Sequence, residues 1–486
     1  MYPPGPGDHL LRLVMEGTAA YAKVQLHPML MMENLEHPEL VSAEPRAVKT
    51  VPAHFSEVSH ADEDDVVRIF GHESHGDGHT FFRIGSPLGM EGIPLCLNLY
   101  RFVERSSAVF GKTGTGKTFL ARLLLCGLIR SGVAVNLIFD MHSEYGDSVT
   151  QEVADGQGRS SLPGLKDLFP AKVMTFSLDP QGARERGSRV DQAVTLYADQ
   201  ILPRDVLPLR ETLNLTSTAE EVCYALYKAF RKRWLEKLLD TEGSGKLKEL
   251  SERIGAHESA LGALQRKLRQ LTRYRFFSTA PSLGKIDVLD QLMEALDGGR
   301  SVIFEFGACN TLQVYLLVAN VITRRIRDQY EKKTNEFRRT DRNKPRPLVI
   351  TIEEAHKFLS KGTARETPFG KIAREMRKYF VTLLVVDQRP SAIDEEVLSQ
   401  IGTKLVAQLS DDKDITAVLV GEKSSGDLRN ILATIDAKQQ ALLLGHATPM
   451  PMVIRSRTYD QAFFDAMRED QAKVTSEDMA LVFGSI

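Results

Sequence analysis

The sequence predicts an α/β fold with a mainly parallel sheet, an N-terminal small β-barrel and an inserted helical subdomain. Three observations lead to this prediction. A glycine-rich phosphate-binding motif separates a strand pattern from a helix pattern near residue 111. From residue 106 onward, near-continuous aliphatic runs alternate with helical patterns, as in a parallel sheet buried on both faces. The first hundred residues or so instead carry short strand-like runs separated by polar, proline- and glycine-containing segments.

The N-terminal region, residues 1–98, is predicted to form the barrel because its strand-like runs are short and evenly spaced. These runs are Tyr21–Leu26, Val66–Gly71, Thr80–Ile84 and Pro94–Leu97. No basic segment followed by a long apolar run opens the chain, so we expect no signal peptide. No run of about 18 apolar residues occurs, so we expect no membrane contact and a cytoplasmic location.

Composition excludes several classes of protein. The 486 residues are 42% hydrophobic and 26% charged, as in folded globular chains. The 62 basic and 64 acidic side chains give a net charge of −2, which argues against attraction of DNA by the whole surface. Any nucleic-acid contact must then come from local patches or from a surface that assembly creates. The four cysteines form no CxxC pair, which favours buried reduced thiols over a metal or disulfide framework.

The α/β core is predicted in two parts, 99–202 and 282–470, because helical residues 203–281 interrupt the strand pattern. In that insertion apolar residues recur at three- and four-residue spacing, which indicates amphipathic helices. Residues 331–347 are charged and predicted to form a loop, and 471–486 a C-terminal tail. The predicted core strands are Ser107–Phe110, Val133–Asp140, Lys172–Leu178, Ser301–Phe306, Leu348–Ile352, Val381–Asp387, Lys404–Leu409 and Ala441–Leu444.

The strongest chemical signal is the segment 111–118, which matches G-x-x-x-x-G-K-[ST] at every fixed position. Its glycines let backbone amides surround phosphate oxygens, Lys117 offsets the β/γ-phosphate charge, and the Thr118 hydroxyl can bind Mg²⁺. The predicted cofactors are therefore ATP and Mg²⁺. The predicted nucleotide-binding residues are Gly111, Thr113, Gly114, Thr115, Gly116, Lys117, Thr118 and Phe119.

Three further strands end in polar side chains at the edge where parallel sheets bind ligands. Glu353 and Glu354 follow the strand LVITI. Of two adjacent acids at this position, one can bind the metal ion and the other can act as the base that orients water. An ordinary acidic helix N-terminus is the alternative. Gln388 ends another strand and can sense the γ-phosphate. Asp140 and Glu144 lie at the end of a third strand. They either bind a water molecule near the site or simply form the turn that ends the strand.

Arg377 precedes its strand and therefore lies at the opposite edge of the sheet. It cannot easily reach the nucleotide of its own chain but can reach a neighbour's, which is the geometry of an arginine finger acting between subunits of a ring. A solvated basic helix face is the alternative for this segment.

Taken together, the motifs resemble the HerA family of HerA/FtsK-class P-loop ATPases, over about residues 80–457. The resemblance implies a RecA-like core in a homo-hexameric ring that pumps double-stranded DNA. It also implies an N-terminal barrel that docks a partner nuclease or other effector, and an insertion that forms a separate bundle. The motifs, in family order, are FGKTGTGKT, IFDMHSEYGD, ITIEEAHKFL, IAREMRKYF, VVDQRPSAID and ALLLGHATPMPMVIRSR.

The resemblance also implies roles for single residues. It makes Lys117 and Thr118 the phosphate-loop lysine and magnesium ligand, Glu354 the catalytic glutamate, Gln388 the sensor and Arg377 the arginine that acts between subunits. The usual Asp–Glu pair is Glu–Glu here. Because glutamate is one methylene longer, the resemblance leaves open whether the first of the pair binds magnesium directly or through water.

The leading functional prediction is an ATP-driven DNA translocase or helicase that works with a nuclease or effector, in DNA end processing or in defence against phage. Two alternatives stay open. One is an ATP-gated ring scaffold that activates an effector without processive movement. The other is a ring ATPase of the conjugation or secretion type. Only the first function requires strong stimulation of ATP hydrolysis by DNA.

Overall fold

The computed structural model describes residues 28–31, 46–49, 58–73, 80–152, 159–364, 367–422, 425–436 and 439–468. The chain divides into two compact units, Met1–His60 and Ala61–Ile486. In the first unit, two short strands, β1 (Leu30–Met31) and β2 (Arg46–Ala47), pair antiparallel. The strand predicted at 21–26 lies outside the described residues.

The described part of the second unit contains sixteen further strands. In chain order they are β3 (Phe81–Pro87), β4 (Leu95–Asn98), β5 (Ser106–Phe110), β6 (Val135–Asp140), β7 (Val149–Glu152), β8 (Arg159–Leu162), β9 (Val173–Ser177), β10 (Gln192–Ala193), β11 (Leu196–Tyr197), β12 (Phe277–Ser278), β13 (Ser301–Glu305), β14 (Leu348–Glu353), β15 (Val381–Asp387), β16 (Ile401–Val406), β17 (Gln440–Gly445) and β18 (Met452–Ser456).

Within the described residues, twelve of these strands form one sheet in the order β10-β9-β13-β6-β14-β15-β5-β16-β17-β18-β3-β4. Pairing is parallel from β10 to β16 and antiparallel from β16 to β4. The predicted α/β fold with a mainly parallel sheet is therefore confirmed. Each core strand predicted from the sequence has a counterpart, although the one predicted at 404–409 begins earlier, at Ile401.

The α-helices cover both the core and the insertion. Among the described residues they are Glu63–Phe70, Leu99–Glu104, Lys117–Ser131, Leu165–Leu168, Pro180–Glu185, Pro203–Val206, Ser217–Phe230, Trp234–Asp240, Ser244–Ile254, Glu258–Leu268, Val288–Asp297, Leu312–Thr340, His356–Leu359, Pro368–Glu375, Glu395–Gln400, Asp412–Val418 and Ser425–Thr434. None of the helices in these described ranges is long and apolar enough to cross a lipid bilayer.

The predicted helical insertion is confirmed as helical, and it packs directly onto the α/β core. Trp234 is fully buried, and its indole nitrogen donates a hydrogen bond to the carbonyl of Ile201 at 2.8 Å. The buried apolar residues of the insertion belong to the same hydrophobic cluster as buried side chains of β6, β13 and β14. A continuous apolar interface of this kind fixes the insertion against the core.

Two local predictions are wrong. Val66–Gly71 is not a strand, because residues 63–70 form a helix that the Asp62 carboxylate caps through the backbone N–H of Asp65. Residues 331–347 are not all loop, because the helix that begins at Leu312 continues to Thr340 before Asp341 ends it with a positive φ of 53°. Charged residues with high helix propensity extend a helix that its buried apolar half has already nucleated.

The strands predicted at 80–84 and 94–97 exist as β3 and β4, but both belong to the large sheet. β3 pairs with β18 at one side and with β4 at the other. These strands therefore extend the core sheet. The barrel predicted for residues 1–98 stays a prediction, since most residues before 80 lie outside the described ranges.

Candidate functional site

The phosphate loop connects β5 to the helix that begins at Lys117. Gly114 and Gly116 have φ values of 82° and 88°, which side-chain-bearing residues rarely adopt. A Cβ atom at Gly111 would stand 2.7 Å from the Thr115 hydroxyl oxygen and 2.9 Å from the Ala407 Cβ. The loop conformation therefore requires glycine at these three positions, and its curled backbone is suited to present N–H groups to phosphate oxygens.

Lys117 is folded back onto this loop. Its ammonium group donates a hydrogen bond to the carbonyl of Lys112 at 2.9 Å, and the Thr115 hydroxyl donates to the same carbonyl at 2.7 Å. Burial lowers the pKa of Lys117, whereas the surrounding carboxylates, Glu354 first, act in the opposite direction. A partly buried cation with one carbonyl partner is well placed to gain from an anionic phosphate.

The residues that follow β6 form a turn that faces the start of the helix. The buried Asp140 carboxylate accepts hydrogen bonds from the backbone N–H groups of Glu144 at 3.0 Å and Tyr145 at 2.9 Å. The Thr118 hydroxyl donates to the Glu144 carboxylate at 3.0 Å, and Arg122 binds the Glu144 carbonyl. Asp140 thus shapes the turn, and Glu144 lies beside the predicted magnesium ligand.

Glu353 ends β14 and is only 7% exposed. One carboxylate oxygen accepts a hydrogen bond from the Tyr145 hydroxyl at 2.8 Å, and the other has no hydrogen-bond partner among the described residues. Burial, followed by the negative charges of Asp140 and Glu144, raises the pKa of Glu353 to about 8. A pKa raised this far favours the uncharged carboxyl at neutral pH.

These side chains carry oxygen atoms of the kind that magnesium prefers as ligands. Thr118, Glu144 and Glu353 supply oxygen donors, and one of these oxygens is buried without a partner. In the described ranges, no group of three or more His, Cys, Asp or Glu side chains forms a complete metal cage. Magnesium commonly uses only one or two protein ligands together with phosphates and water. When bound, it would neutralise charge that develops on the phosphates.

We expect Glu353→Gln to be more stable than the wild type at pH 8, and the difference between the two proteins to be much smaller at pH 5. The folded-state pKa lies above the unfolded value, so the stabilising contribution of the protonated carboxyl is complete below about pH 4.5. It is lost as the pH rises to about 8. Glutamine does not titrate, so the gain should reach about 2–4 kcal/mol at pH 8.

Thermal unfolding of the wild type and of Glu353→Gln at pH 5, 6.5 and 8 measures this difference. Glu375→Gln, a change at an exposed carboxylate on the helix after the site, is the matched control. Parallel stability curves for the wild type and Glu353→Gln would show that burial does not hold the proton on Glu353.

Glu354 follows directly and has a φ of 48°, a left-handed conformation that few residues other than glycine adopt. Its carboxylate accepts a hydrogen bond from the Gln388 amide nitrogen at 2.7 Å. The Thr113 hydroxyl donates to the Gln388 amide oxygen at 2.5 Å. The structure thus brings together the predicted base, the predicted sensor and the phosphate loop in one hydrogen-bonded chain. Backbone strain of this kind is concentrated at functional sites.

Arg377 is not part of this cluster. It is exposed in the turn Met376–Tyr379, before β15 begins, whereas Gln388 follows the last residue of β15. A seven-residue strand spans about 20 Å, so the arginine lies at the far edge of the sheet from the phosphate loop of its own chain. Its role between subunits stays a prediction.

A cavity of about 250 Å³ opens beside the first turns of the helix after the phosphate loop. The rings of Phe119 and Tyr459 line it, with centroids 6.0 Å apart. Gln439, Gln440 and Arg457 add polar groups to its wall. Apolar walls with a few polar groups suit the planar ring system of a nucleobase. Sequence reasoning missed Tyr459, because only the pairing of β18 with β17 and β3 brings it to the helix.

A family model described as helicase HerA, central domain, matches residues 82–326. One similar relative is the DNA double-strand break repair helicase HerA of Pyrococcus furiosus, 24% identical over 432 residues, which cover 83% of this chain and 73% of that protein. Another is the protein of the same name from Sulfolobus acidocaldarius, 27% identical over 362 residues, 73% of this chain and 65% of that protein.

Among solved structures, the chain is similar to the bacterial conjugative coupling protein TrwBdeltaN70. The TM-score is 0.52 at 12% identity, and the match covers 84% of this chain and 96% of that one. At this level of identity the likeness concerns the fold alone. It agrees with the α/β architecture of the core.

Proposed function

The chain belongs to the HerA helicase family, and we propose that it is an ATP-driven translocase of double-stranded DNA. It is an ATP-hydrolysing enzyme with a P-loop core. The observation that carries the proposal is the hydrogen-bonded chain from the phosphate loop through Gln388 to Glu354. The names of the two archaeal relatives, both DNA double-strand break repair helicases, support DNA as the substrate.

Hydrolysis would use the groups already in place. The phosphates would bind in the loop, with Lys117 offsetting their charge, and the adenine ring would bind in the cavity that Phe119 and Tyr459 line. Glu354 orients the attacking water and accepts its proton. Proton transfer to a positioned side chain typically contributes a factor of about 10²–10⁴ in rate.

Gln388 couples this chemistry to nucleotide binding. In the structure, its amide nitrogen donates to Glu354 and its amide oxygen accepts from Thr113. A γ-phosphate in the loop competes for both the Thr113 hydroxyl and the amide. Glu354 is then released to bind water only when a nucleotide occupies the phosphate loop. Water is therefore not activated in the absence of ATP.

The assembly we propose is a homo-hexameric ring that docks a partner nuclease or other effector through the N-terminal region. The exposed Arg377 supports a ring, because it lies too far from the phosphate loop of its own chain to act there. DNA end processing and defence against phage both fit such a complex, and the identity of the partner decides between them.

The test is the ATPase rate of the purified chain with and without linear duplex DNA. We expect DNA to raise the rate several-fold. Glu354→Gln should lower turnover by about 10²-fold or more while nucleotide binding persists, because an amide cannot accept the proton. Equal rates with and without DNA would contradict translocation and favour an ATP-gated scaffold. If Glu353→Gln proves the more damaging change while binding survives, the two glutamate roles are reversed.

A further inference from the structure

A buried aspartate and a histidine lie behind the predicted base. Asp387 ends β15, and its side chain is 0% exposed. Its carboxylate accepts hydrogen bonds from the backbone N–H groups of His356 at 2.7 Å and Arg389 at 2.6 Å. The same carboxylate lies 3.0 Å from Nδ1 of the His356 ring. Three donors therefore converge on this one buried group.

This arrangement determines where the proton lies on the imidazole ring. A carboxylate is an acceptor, so Nδ1 of His356 must carry a hydrogen to bind Asp387. The other ring nitrogen, Nε2, lies 3.8 Å from the Glu354 carboxylate oxygen Oε2. If Nε2 also carries a proton, the ring is a cation that attracts Glu354. If it does not, a lone pair faces the carboxylate.

The charges around the ring favour the cation. The hydrogen bond to Asp387, followed by the charges of Asp387 and Glu354, raises the pKa of His356, while burial and Lys357 act in the opposite direction. These three charged groups come from β15, from the turn after β14 and from the histidine's own helix. The cation is thus the form that agrees with a carboxylate facing each ring nitrogen, at 3.0 Å from Nδ1 and 3.8 Å from Nε2.

The two oxygens of Glu354 therefore face different partners. Oε1 accepts a hydrogen bond from the Gln388 amide, and Oε2 faces Nε2 of His356. The backbone at Glu354 is also held in a left-handed conformation. A hydrogen bond at one oxygen and an ion-pair contact at the other restrict rotation of the carboxylate, which a base that orients water requires.

We propose that His356, held by Asp387, is a positioning residue that fixes the second oxygen of the catalytic glutamate for hydrolysis. The inference rests on the proposed ATPase function and adds two residues to it. In this role His356 acts through Glu354 and needs no contact with the nucleotide. It acts by keeping Glu354 in the orientation in which Gln388 can release it toward water.

The test compares kcat and KM for ATP in the wild type, His356→Asn and His356→Gln between pH 6 and 9. Asparagine keeps a donor near Nδ1 for Asp387 but has no group at Nε2, whereas glutamine places a neutral donor near Nε2. We expect His356→Asn to lose roughly 10–100-fold in kcat with KM nearly unchanged, since a small misplacement of a catalytic group costs up to about 10²-fold. His356→Gln should recover part of the rate.

The pH profile separates positioning from a merely structural role. Because the His356 pKa is raised, the wild type should keep its rate from acid pH to above 6.5 and lose it as the ring deprotonates. His356→Gln should lose the part of this alkaline decline that the ring causes, whereas any part caused by Glu353, whose pKa is about 8, is common to both proteins. His446→Gln is the matched control, since His446 pairs with Glu104 at 2.6 Å on the surface, away from the site.

The outcomes distinguish this inference from the proposed function. A wild type without ATPase activity would remove the proposed function itself. An active wild type together with His356→Asn of equal kcat and the same alkaline decline would overturn the role of His356 alone. Should His356→Asn fail to bind nucleotide, the comparison of His356→Gln with the wild type decides. Retention of the wild-type alkaline decline in that variant would also overturn the inference.

Discussion

Replacing Lys117 with alanine is expected to lower ATP turnover by at least about 10²-fold, because the charge that builds up on the phosphates in the transition state loses its cationic partner. The ammonium group donates a hydrogen bond to the carbonyl of Lys112 at 2.9 Å and is partly buried. Its desolvation is therefore only partly compensated until phosphate arrives. Alanine removes the charge and leaves the loop backbone, whose shape depends on the glycines, in place.

The rate should be measured together with nucleotide binding, because loss of the lysine weakens both. Lys112→Ala is the matched control: it lies in the same loop, but its backbone carbonyl, rather than its side chain, holds Lys117 and Thr115. We expect a much smaller loss for that variant. Turnover of Lys117→Ala close to that of the wild type would mean that this loop does not bind the reacting phosphates.

The parts of the site that were predictable from the sequence are those with contiguous signals. The phosphate loop is eight consecutive residues, and Glu353 and Glu354 directly follow an apolar strand. Strand direction alone predicts that Gln388 lies at the same edge as these acids. Its hydrogen bond to Glu354 agrees with that placement. Its catalytic role, like that of Glu354, stays a prediction.

The contacts that tune the site have no local signal. Tyr145 donates to Glu353 across 208 positions of sequence because β6 and β14 are neighbours in the sheet. The order of strands in a sheet is set by tertiary packing, which no short segment encodes. The same holds for the contact between Phe119 and Tyr459, since an antiparallel extension of the sheet brings the C-terminal strand back to the phosphate-loop helix.

The secondary-structure predictions are wrong where the local sequence pattern and its structural context disagree. The run VVRIFG reads as a strand by composition, yet an Asp62 cap and acidic residues in the first turn make it a helix. In the second case, the charge-rich segment after residue 331 lacks an apolar stripe. It is helical because it continues Leu312–Thr340, whose first half is buried against the sheet.

Mixing Arg377→Ala subunits with Lys117→Ala subunits is expected to restore part of the ATPase activity that neither variant shows alone. Arg377 is exposed about one strand length, roughly 20 Å, from the phosphate-loop edge of its own chain. In a ring, a chain with an intact Lys117 can then receive Arg377 from its neighbour. An arginine finger contributes on the order of 10³ or more in rate, so even a few complete interfaces should stand clear of background.

Varying the mixing ratio distinguishes an arginine that acts between subunits from one that acts within its own chain. Recovered activity should rise and fall with the fraction of interfaces that pair an intact phosphate loop with an intact neighbouring arginine, and should vanish when either variant is alone. A finger acting within its own chain gives no recovery at any ratio, because each Arg377→Ala subunit lacks it whatever its neighbour supplies. Lys378→Ala, a change at the adjacent exposed cation, is the matched control and should retain activity without mixing. Absence of recovery, with mixed rings verified by mass spectrometry, would assign Arg377 a role within its own subunit.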